Sequence, residues 1–156
     1  MKTQLILISK TTDKHLSACI EDYVARISHY MPFSMVVIPD LKNARNMSEE
    51  QQKEREGELI LKALKPSDKV VLLDERGKER RSIEFASWLE AQQQASRNLV
   101  FVIGGPYGFS DAVYKRADEL ISLSAMTFSH QMVRLIFTEQ LYRACTIIKG
   151  EPYHHE

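Results

Sequence analysis

The sequence has little that points to a secreted, membrane-spanning or metal-binding protein. Of its 156 residues only two are cysteines. Cys19 and Cys145 lack CxxC spacing and lie in helical patterns among apolar neighbours, so we expect small core residues and no disulfide. The apolar run at residues 4–9 is too short for a signal peptide or a membrane span, which favours a cytoplasmic protein without membrane contact. Because no group of Cys or His has ligand spacing, we expect no metal site.

An excess of charge of one sign is also absent. The 21 Lys and Arg residues balance the 21 Asp and Glu residues. An anionic partner must therefore be recognised through a local patch and not through the field of the whole molecule. The best candidate is a short basic run, which comprises Arg76, Lys78, Arg80 and Arg81. Glu75 and Glu79 dilute this run, and we expect Arg134 to add to the surface near the last helix.

What the sequence does contain is a regular alternation of strand and helix patterns. Strands are predicted at residues 4–9, 33–39, 69–74, 98–103 and 120–123. Helices are predicted at residues 15–30, from the Ser48–Gln51 capping box to 64, at 82–94, after Ser110, and at about 130–149. This alternation predicts an α/β fold with a mostly parallel sheet and helices on both faces. The length and the apolar fraction of 44% predict a single domain over residues 1–156.

Two loops in the last third are candidates for a ligand site. One is the glycine turn, residues 104–108, which follows a buried strand, and the other is the serine loop, residues 123–128, which precedes the last helix. Loops at strand ends of α/β sheets usually bind ligands. The glycines lack the spacing of phosphate-binding motifs. This leaves open an ordinary tight turn, or a nucleoside-like ligand without phosphate held by Leu73, Gly104 and the serine loop.

Five segments occur in an order that is typical of one known family. They are residues 73–78, 103–108, 123–128, 141–144 and 152–154. Over nearly its whole length the sequence resembles the ribosomal large-subunit methyltransferase H family, SPOUT-class enzymes that methylate N3 of a pseudouridine in 23S rRNA. The resemblance implies a SPOUT α/β knot, with a deep C-terminal trefoil knot, and a homodimer. It also implies S-adenosyl-L-methionine as cofactor and 23S rRNA within the assembled 70S ribosome as substrate.

The resemblance also assigns the cofactor contacts by motif position. They are Leu73, Gly104, Leu123, Ser124, Ala125, Met126, Thr127 and Phe128. The missing phosphate motif agrees with this assignment, because the methyl donor carries no phosphate.

The candidate catalytic residues are Arg143, Tyr153 and His154. Methyl transfer to nitrogen mainly requires donor and acceptor to be held in line and the N3 proton to be removed. Tyr153 and His154 match the family's terminal motif, and His154 is either the base or a group that only stacks on or hydrogen-bonds to the pyrimidine. Arg143 would stabilise developing negative charge, although Glu139 one turn earlier is an ordinary partner for it. His130 either caps the last helix or faces the serine loop, and we favour the structural role.

The last helix bears on dimerisation. An apolar stripe runs along it, formed by Val133, Phe137, Leu141, Cys145 and Ile148, and further apolar residues extend onto other faces. Such a helix is sandwiched either within one subunit or at a two-fold interface.

Relatives often have Arg where this chain has His155, so RNA contact at that position is in doubt.

Two other functions remain open at this point. One is a SPOUT methylase of a different RNA, such as tRNA, because fold and cofactor site do not fix the substrate. The other is a ribosome-binding factor that keeps the fold without the chemistry, which would have no affinity for the methyl donor.

Overall fold

The computed structural model describes residues 1–155, in which five parallel strands alternate with five α-helices. The strands are β1 (Thr3–Ile8), β2 (Phe33–Ile38), β3 (Lys69–Glu79), β4 (Leu99–Ile103) and β5 (Glu119–Ser122). The helices are α1 (Lys14–Ser28), α2 (Glu49–Ala63), α3 (Ser82–Gln94), α4 (Asp111–Arg116) and α5 (Met132–Lys149), and a 3-10 turn spans Ala44–Asn46. The predicted α/β alternation is confirmed.

The strand order, β2-β1-β4-β3-β5, places the two C-terminal loops at one edge of the sheet. All neighbouring strands are parallel. Strand β2 lies on one side of β1, and β4, β3 and β5 lie on the other side. The chain therefore changes the direction in which it adds strands, and the change falls between β1 and β4. The carboxyl ends of parallel strands meet at the same edge, and ligands of such sheets bind there.

Two apolar layers hold the helices to the two faces of the sheet. Leu5 and Phe101 pack with Phe137 and the other buried residues of α1, α3 and α5. Ile6 and its neighbours face the opposite side and pack with Ile60 of α2 and with residues of α4. Successive strand residues point to opposite faces, so a strand that is apolar throughout requires helices on both sides. The prediction of helices on both faces is confirmed.

Strand β3 is longer than predicted. It continues past residue 74 to Glu79, because a bulge between Leu73 and Lys78 lets the strand resume pairing with β5. At Gly77 a Cβ would lie 2.6 Å from the backbone nitrogen of Ile121, so only glycine fits. Residues 74–76 lie between the two paired parts of β3, where they do not pair with β5.

The helix ends follow their sequence signals closely. Both hydrogen bonds of the predicted capping box join Ser48 and Gln51 at the start of α2. Gly150 ends α5 in the left-handed conformation, with φ of 71°.

No helix within residues 1–155 has the length and hydropathy needed to cross a lipid bilayer.

One of the two cysteine predictions is wrong. Cys145 is buried in the core as expected, but Cys19 is exposed. The buried positions of α1 are Ile20 and Ile27, and Cys19 lies next to the first of them on the outer side of the helix. Both thiols are free.

Candidate active site

A cavity of about 630 Å³ opens where β3, β4 and β5 end. Its volume lies in the range of small-molecule and cofactor sites. Seven of the eight predicted cofactor residues line it, namely Leu73, Gly104, Leu123, Ser124, Met126, Thr127 and Phe128. Ala125 is exposed and is not part of the lining. The structure thus brings the predicted cofactor residues together from three separate segments.

The glycine turn forms one wall of this cavity. The Gly108 N–H donates to the Gly105 carbonyl at 3.2 Å, and Gly108 has a φ of 83°, which favours glycine. Behind the turn, a Cβ on Gly104 would lie 3.1 Å from the buried ring of Phe109. The segment is therefore a tight turn that also lines the cavity, and contact with a ligand there stays a prediction.

The serine loop forms the opposite wall. Ser122 Oγ donates to the Ser124 carbonyl at 3.0 Å, and Ser124 Oγ accepts from the Met126 N–H at 2.9 Å. Thr127 Oγ1 reaches Glu75 Oε2 at 3.5 Å, which links this loop to the bulge of β3. Local hydrogen bonds therefore fix the loop, although its Met126 side chain is highly exposed.

A polar group formed by Asp74, Arg76 and Tyr114 lines another part of the cavity. The Tyr114 hydroxyl donates to Asp74, and the Arg76 guanidinium lies 4.3 Å from the centre of the Tyr114 ring. Burial, followed by the hydrogen bond to Asp74, raises the pKa of Tyr114. Tyr114 therefore stays protonated at neutral pH, and its hydroxyl proton is used in the hydrogen bond to Asp74. Sequence reasoning missed Asp74 and Tyr114; the signal at Asp74 was a carboxylate at the end of the predicted strand 69–74.

The predicted basic patch is divided by these contacts. Arg76 lines the cavity, and Arg80 is covered, with its guanidinium 5.5 Å from the Trp88 ring and 3.5 Å from Glu119. Lys78 and Arg81 remain exposed. The four residues therefore do not form one continuous surface for an anionic partner.

Arg134 is buried, so its prediction as a surface residue is wrong. It donates to the carbonyls of Ile8 at 2.6 Å and His130 at 3.1 Å, and to Thr11 Oγ1 at 3.0 Å. These acceptors satisfy much of the guanidinium, whose donors otherwise require water. Arg134 thereby ties the end of β1 to the start of α5.

His130 faces the cavity and does not cap α5. The Met132 N–H bonds to Ser129 Oγ at 3.0 Å instead, while His130 lines the cavity together with Val133. Burial, and secondly the charge of Arg134, lowers the pKa of His130. The favoured capping role is therefore wrong, and a neutral imidazole faces the cavity at neutral pH.

Arg143, Tyr153 and His154 form a second group, here called the tail cluster together with Glu139 and Tyr23. Arg143 Nη1 lies 3.1 Å from His154 Nδ1, and its guanidinium pairs with Glu139 and lies 4.8 Å from the Tyr153 ring centre. The Tyr153 hydroxyl is 3.2 Å from Glu139 Oε1 and 3.4 Å from the Tyr23 hydroxyl. The three predicted catalytic residues are therefore adjacent, and the suspected Glu139 partner is present.

In the tail cluster, Arg143 and Tyr153 are protonated donors that share the carboxylate of Glu139. Hydrogen bonding to Glu139 raises the pKa of Arg143. Burial, then the hydrogen bond to Tyr23, raises the pKa of Tyr153, so this phenol stays protonated. Because guanidinium only donates, His154 Nδ1 is the acceptor in its contact with Arg143. Nδ1 must leave Arg143 before it can accept a proton from another group.

Within one subunit the cavity and the tail cluster lie apart. The cavity touches α5 at Val133, and Arg143 lies further along the same helix by about 15 Å, at 1.5 Å per residue. The structure therefore assembles each predicted half of the site but does not join the halves. No three His, Cys, Asp or Glu side chains among residues 1–155 are grouped to hold a metal ion.

Comparison with known proteins extends over the whole chain. A family described as "Predicted SPOUT methyltransferase" matches residues 1–154. Proteins named ribosomal RNA large subunit methyltransferase H are 60% identical in Phocaeicola vulgatus and 61% identical in Parabacteroides distasonis, with all of both chains covered. The protein of that name from Christiangramia forsetii is 57% identical, with 99% of each chain covered. With its parallel sheet, its cavity between the two loops and this full-length match, the chain belongs to the SPOUT methyltransferase family.

Proposed function

We propose that this protein transfers a methyl group from S-adenosyl-L-methionine to N3 of a pseudouridine in 23S rRNA, within the assembled 70S ribosome. The observation that carries the proposal is the cavity between the glycine turn and the serine loop, in a chain that matches rRNA large subunit methyltransferases H from end to end. The deep trefoil knot of the C-terminal segment and a cytoplasmic location belong to the same proposal.

The cavity residues fit this methyl donor. Leu73, Leu123 and Phe128 offer apolar surface to an adenine, and the turn and loop offer backbone donors and acceptors. Asp74 and Glu75 place carboxylates in the lining, which favour a ligand that carries a sulfonium and an ammonium group. When bound, the donor supplies an electrophilic methyl group.

The functional unit is proposed to be a homodimer. The separation between the cavity and the tail cluster supports this, because two antiparallel α5 helices would place the tail of one subunit beside the cavity of the other. Closed two-fold dimers repeat such a contact twice. Each subunit would then contribute the tail cluster to its partner's cavity.

In this arrangement the tail cluster acts on the pyrimidine. Arg143 and Tyr153 both remain protonated, so they donate hydrogen bonds and stabilise the charge that develops as the N3 proton leaves. His154 accepts that proton at Nδ1 once Arg143 has turned to the substrate. Glu139 holds Arg143 and Tyr153 in place before the substrate arrives.

The experiment is methyl transfer from labelled donor to 70S ribosomes, separated subunits and tRNA, all from cells that lack this protein. We expect methylated pseudouridine in 23S rRNA, identified by mass, only with joined subunits. Label in tRNA would keep the methyltransferase and replace the substrate. Absence of both label and donor binding would contradict the proposal and favour a non-catalytic ribosome-binding factor.

A further inference from the structure

Helix α2 supports the glycine turn from behind through the carboxyl group of Glu56. Glu56 is 7% exposed, and a Cβ on Gly105 would lie 2.6 Å from its Oε1 and 3.1 Å from its Cδ. The three atoms nearest to that Cβ all belong to Glu56. The carboxyl group therefore lies directly against the backbone of a cavity-lining residue.

A second glycine makes the converse contact between α2 and the segment that begins with the glycine turn. Gly57, the next residue of α2, faces Ser110 at the end of the segment that begins with the glycine turn. A Cβ on Gly57 would overlap Ser110 Oγ and lie 3.3 Å from Val113 Cγ2. Each segment thus presents a glycine to a polar side chain of the other, so a shift of α2 must move the turn.

Glu56 is a costly residue for a purely structural contact. Among residues 1–155 its buried Oε1 has no hydrogen-bond partner. Burial, and secondly the charge of Asp40, raises the pKa of Glu56, and Asp40 is itself bonded to Ser9 Oγ. A buried carboxyl without a partner destabilises a fold, and an apolar side chain fills such a space at less cost. Its presence beneath the turn is therefore not explained by stability.

We propose that Glu56 is a positioning residue for methyl-donor binding, whose carboxyl group holds Gly105 and the rest of the glycine turn in the shape that lines the cavity. This inference rests on the proposed function, because it takes the cavity to be the donor site. Glu56 itself is not part of the cavity lining. It acts through the backbone of Gly105.

The first test compares Glu56→Ala and Glu56→Gln with Glu58→Ala, a matched change at an exposed acid of the same helix. Calorimetry measures donor affinity, and hydrogen exchange in the free protein measures protection of the amides of residues 104, 105, 107 and 108, since Pro106 has no N–H. We expect Glu56→Ala to weaken donor binding about tenfold and to speed exchange in the turn. The KM for the donor should rise with little change in kcat. Glu56→Gln, which keeps the shape, and Glu58→Ala should match the wild type.

The second test uses the close contact itself. Gly105 does not have a positive φ, so its backbone accepts alanine, and the added methyl group meets only Glu56 among its nearest neighbours. Gly105→Ala should weaken donor binding by more than Glu56→Ala does, because its methyl group pushes the turn away from Glu56. Adding Glu56→Ala should restore binding to the level of Glu56→Ala alone, since the clash is gone.

Several outcomes would overturn the inference. Unchanged donor affinity and exchange in Glu56→Ala would do so, as would the absence of rescue in the double variant. If Glu56→Ala does not fold, loss of donor affinity in a folded Glu56→Gln would contradict the shape argument, and wild-type affinity there would support it. If the wild type itself binds no donor, the proposed function fails as well, which separates that failure from a failure of Glu56 alone.

Discussion

The Arg143 guanidinium contacts both Glu139 and His154. It therefore links the carboxylate and the imidazole of the tail cluster. The pair with Glu139 favours the charged guanidinium, and the charged guanidinium occupies the imidazole nitrogen that would accept a proton. In the free protein Arg143 is thus the hydrogen-bond partner of Nδ1 of the proposed base. Substrate that draws Arg143 away would release the base at the moment of use.

His154→Ala is expected to leave donor affinity within about twofold while lowering the rate of methyl transfer on the order of 100-fold or more, the usual range for loss of a general base. Calorimetry and transfer to 70S ribosomes measure the two quantities. His155→Ala, at the exposed neighbouring position, serves as the control and should keep the wild-type rate. Full activity in His154→Ala would remove His154 from the mechanism.

Glu56 also gives the fold a pH dependence of defined sign. The folded-state pKa is raised above the unfolded value of about 4.3, so stability is fully present below that pH and falls as pH rises through the folded pKa. Glu56→Gln cannot ionise, so its stability relative to the wild type should increase with pH and then level off. Urea unfolding at pH 4, 6 and 8 measures this, with the exposed Glu58→Gln as control. A difference that does not vary with pH would contradict the raised pKa.

Single residues also mark where sequence reasoning fails. The helical positions of Cys19 and Arg134 were placed correctly, but which element covers each helix face depends on tertiary packing. Arg134 could be buried only because backbone carbonyls from β1 and from residue 130 converge on it, an arrangement invisible in local periodicity. Leu73, Gly104 and the serine loop were named both from their place at the strand ends and from the family resemblance, and they line the cavity.

At the scale of elements, the strength of local signals decided what the sequence revealed. Helix α3 has the predicted bounds, 82–94, and α2 begins at its capping box. The second part of β3 was missed because its pairing with β5 resumes after a bulge, and the residues in between look like a loop. Pairing across a bulge depends on a partner strand some forty residues away, which local propensity does not encode.

Helix α5 links the two halves of the proposed site, and subunit mixing tests how they combine. Gly104→Val should disable the cavity and His154→Ala the tail, so each homodimer should be inactive. In a random mixture half of the dimers are mixed, and each has one intact composite site, so about a quarter of wild-type activity should return. Circular dichroism checks that both variants fold. No recovery after confirmed exchange of subunits would place tail and cavity in the same subunit.

At the scale of the whole molecule, the zero net charge leaves ligand recognition to the cavity and to local contacts. The parallel sheet and its two helical layers followed from composition and periodicity. The trefoil knot and the single domain over residues 1–156 stay predictions, since they depend on the path of the whole chain and not on its elements.

Donor binding should stabilise the entire fold. At a donor concentration 100 times its Kd, the free energy of unfolding should increase by about 2.7 kcal/mol, visible as a higher Tm. ATP is the matched control, because it shares the adenosine but adds phosphates for which the glycine turn has no binding motif. An equal shift with ATP would contradict a site selective for a ligand without phosphate.

The contact between Arg134 and β1 can form only late in synthesis of the chain. Its hydrogen bond joins the carbonyl of Ile8 to a residue made 126 positions later, and β1 waits for β4 as its second neighbour. At about 5–20 residues per second, translation from residue 8 to residue 134 takes roughly 6–25 s. For that interval the face of β1 that carries Leu5 and Leu7 lacks its contact with α5, so the N-terminal third is a segment that chaperones can hold until the last helix emerges.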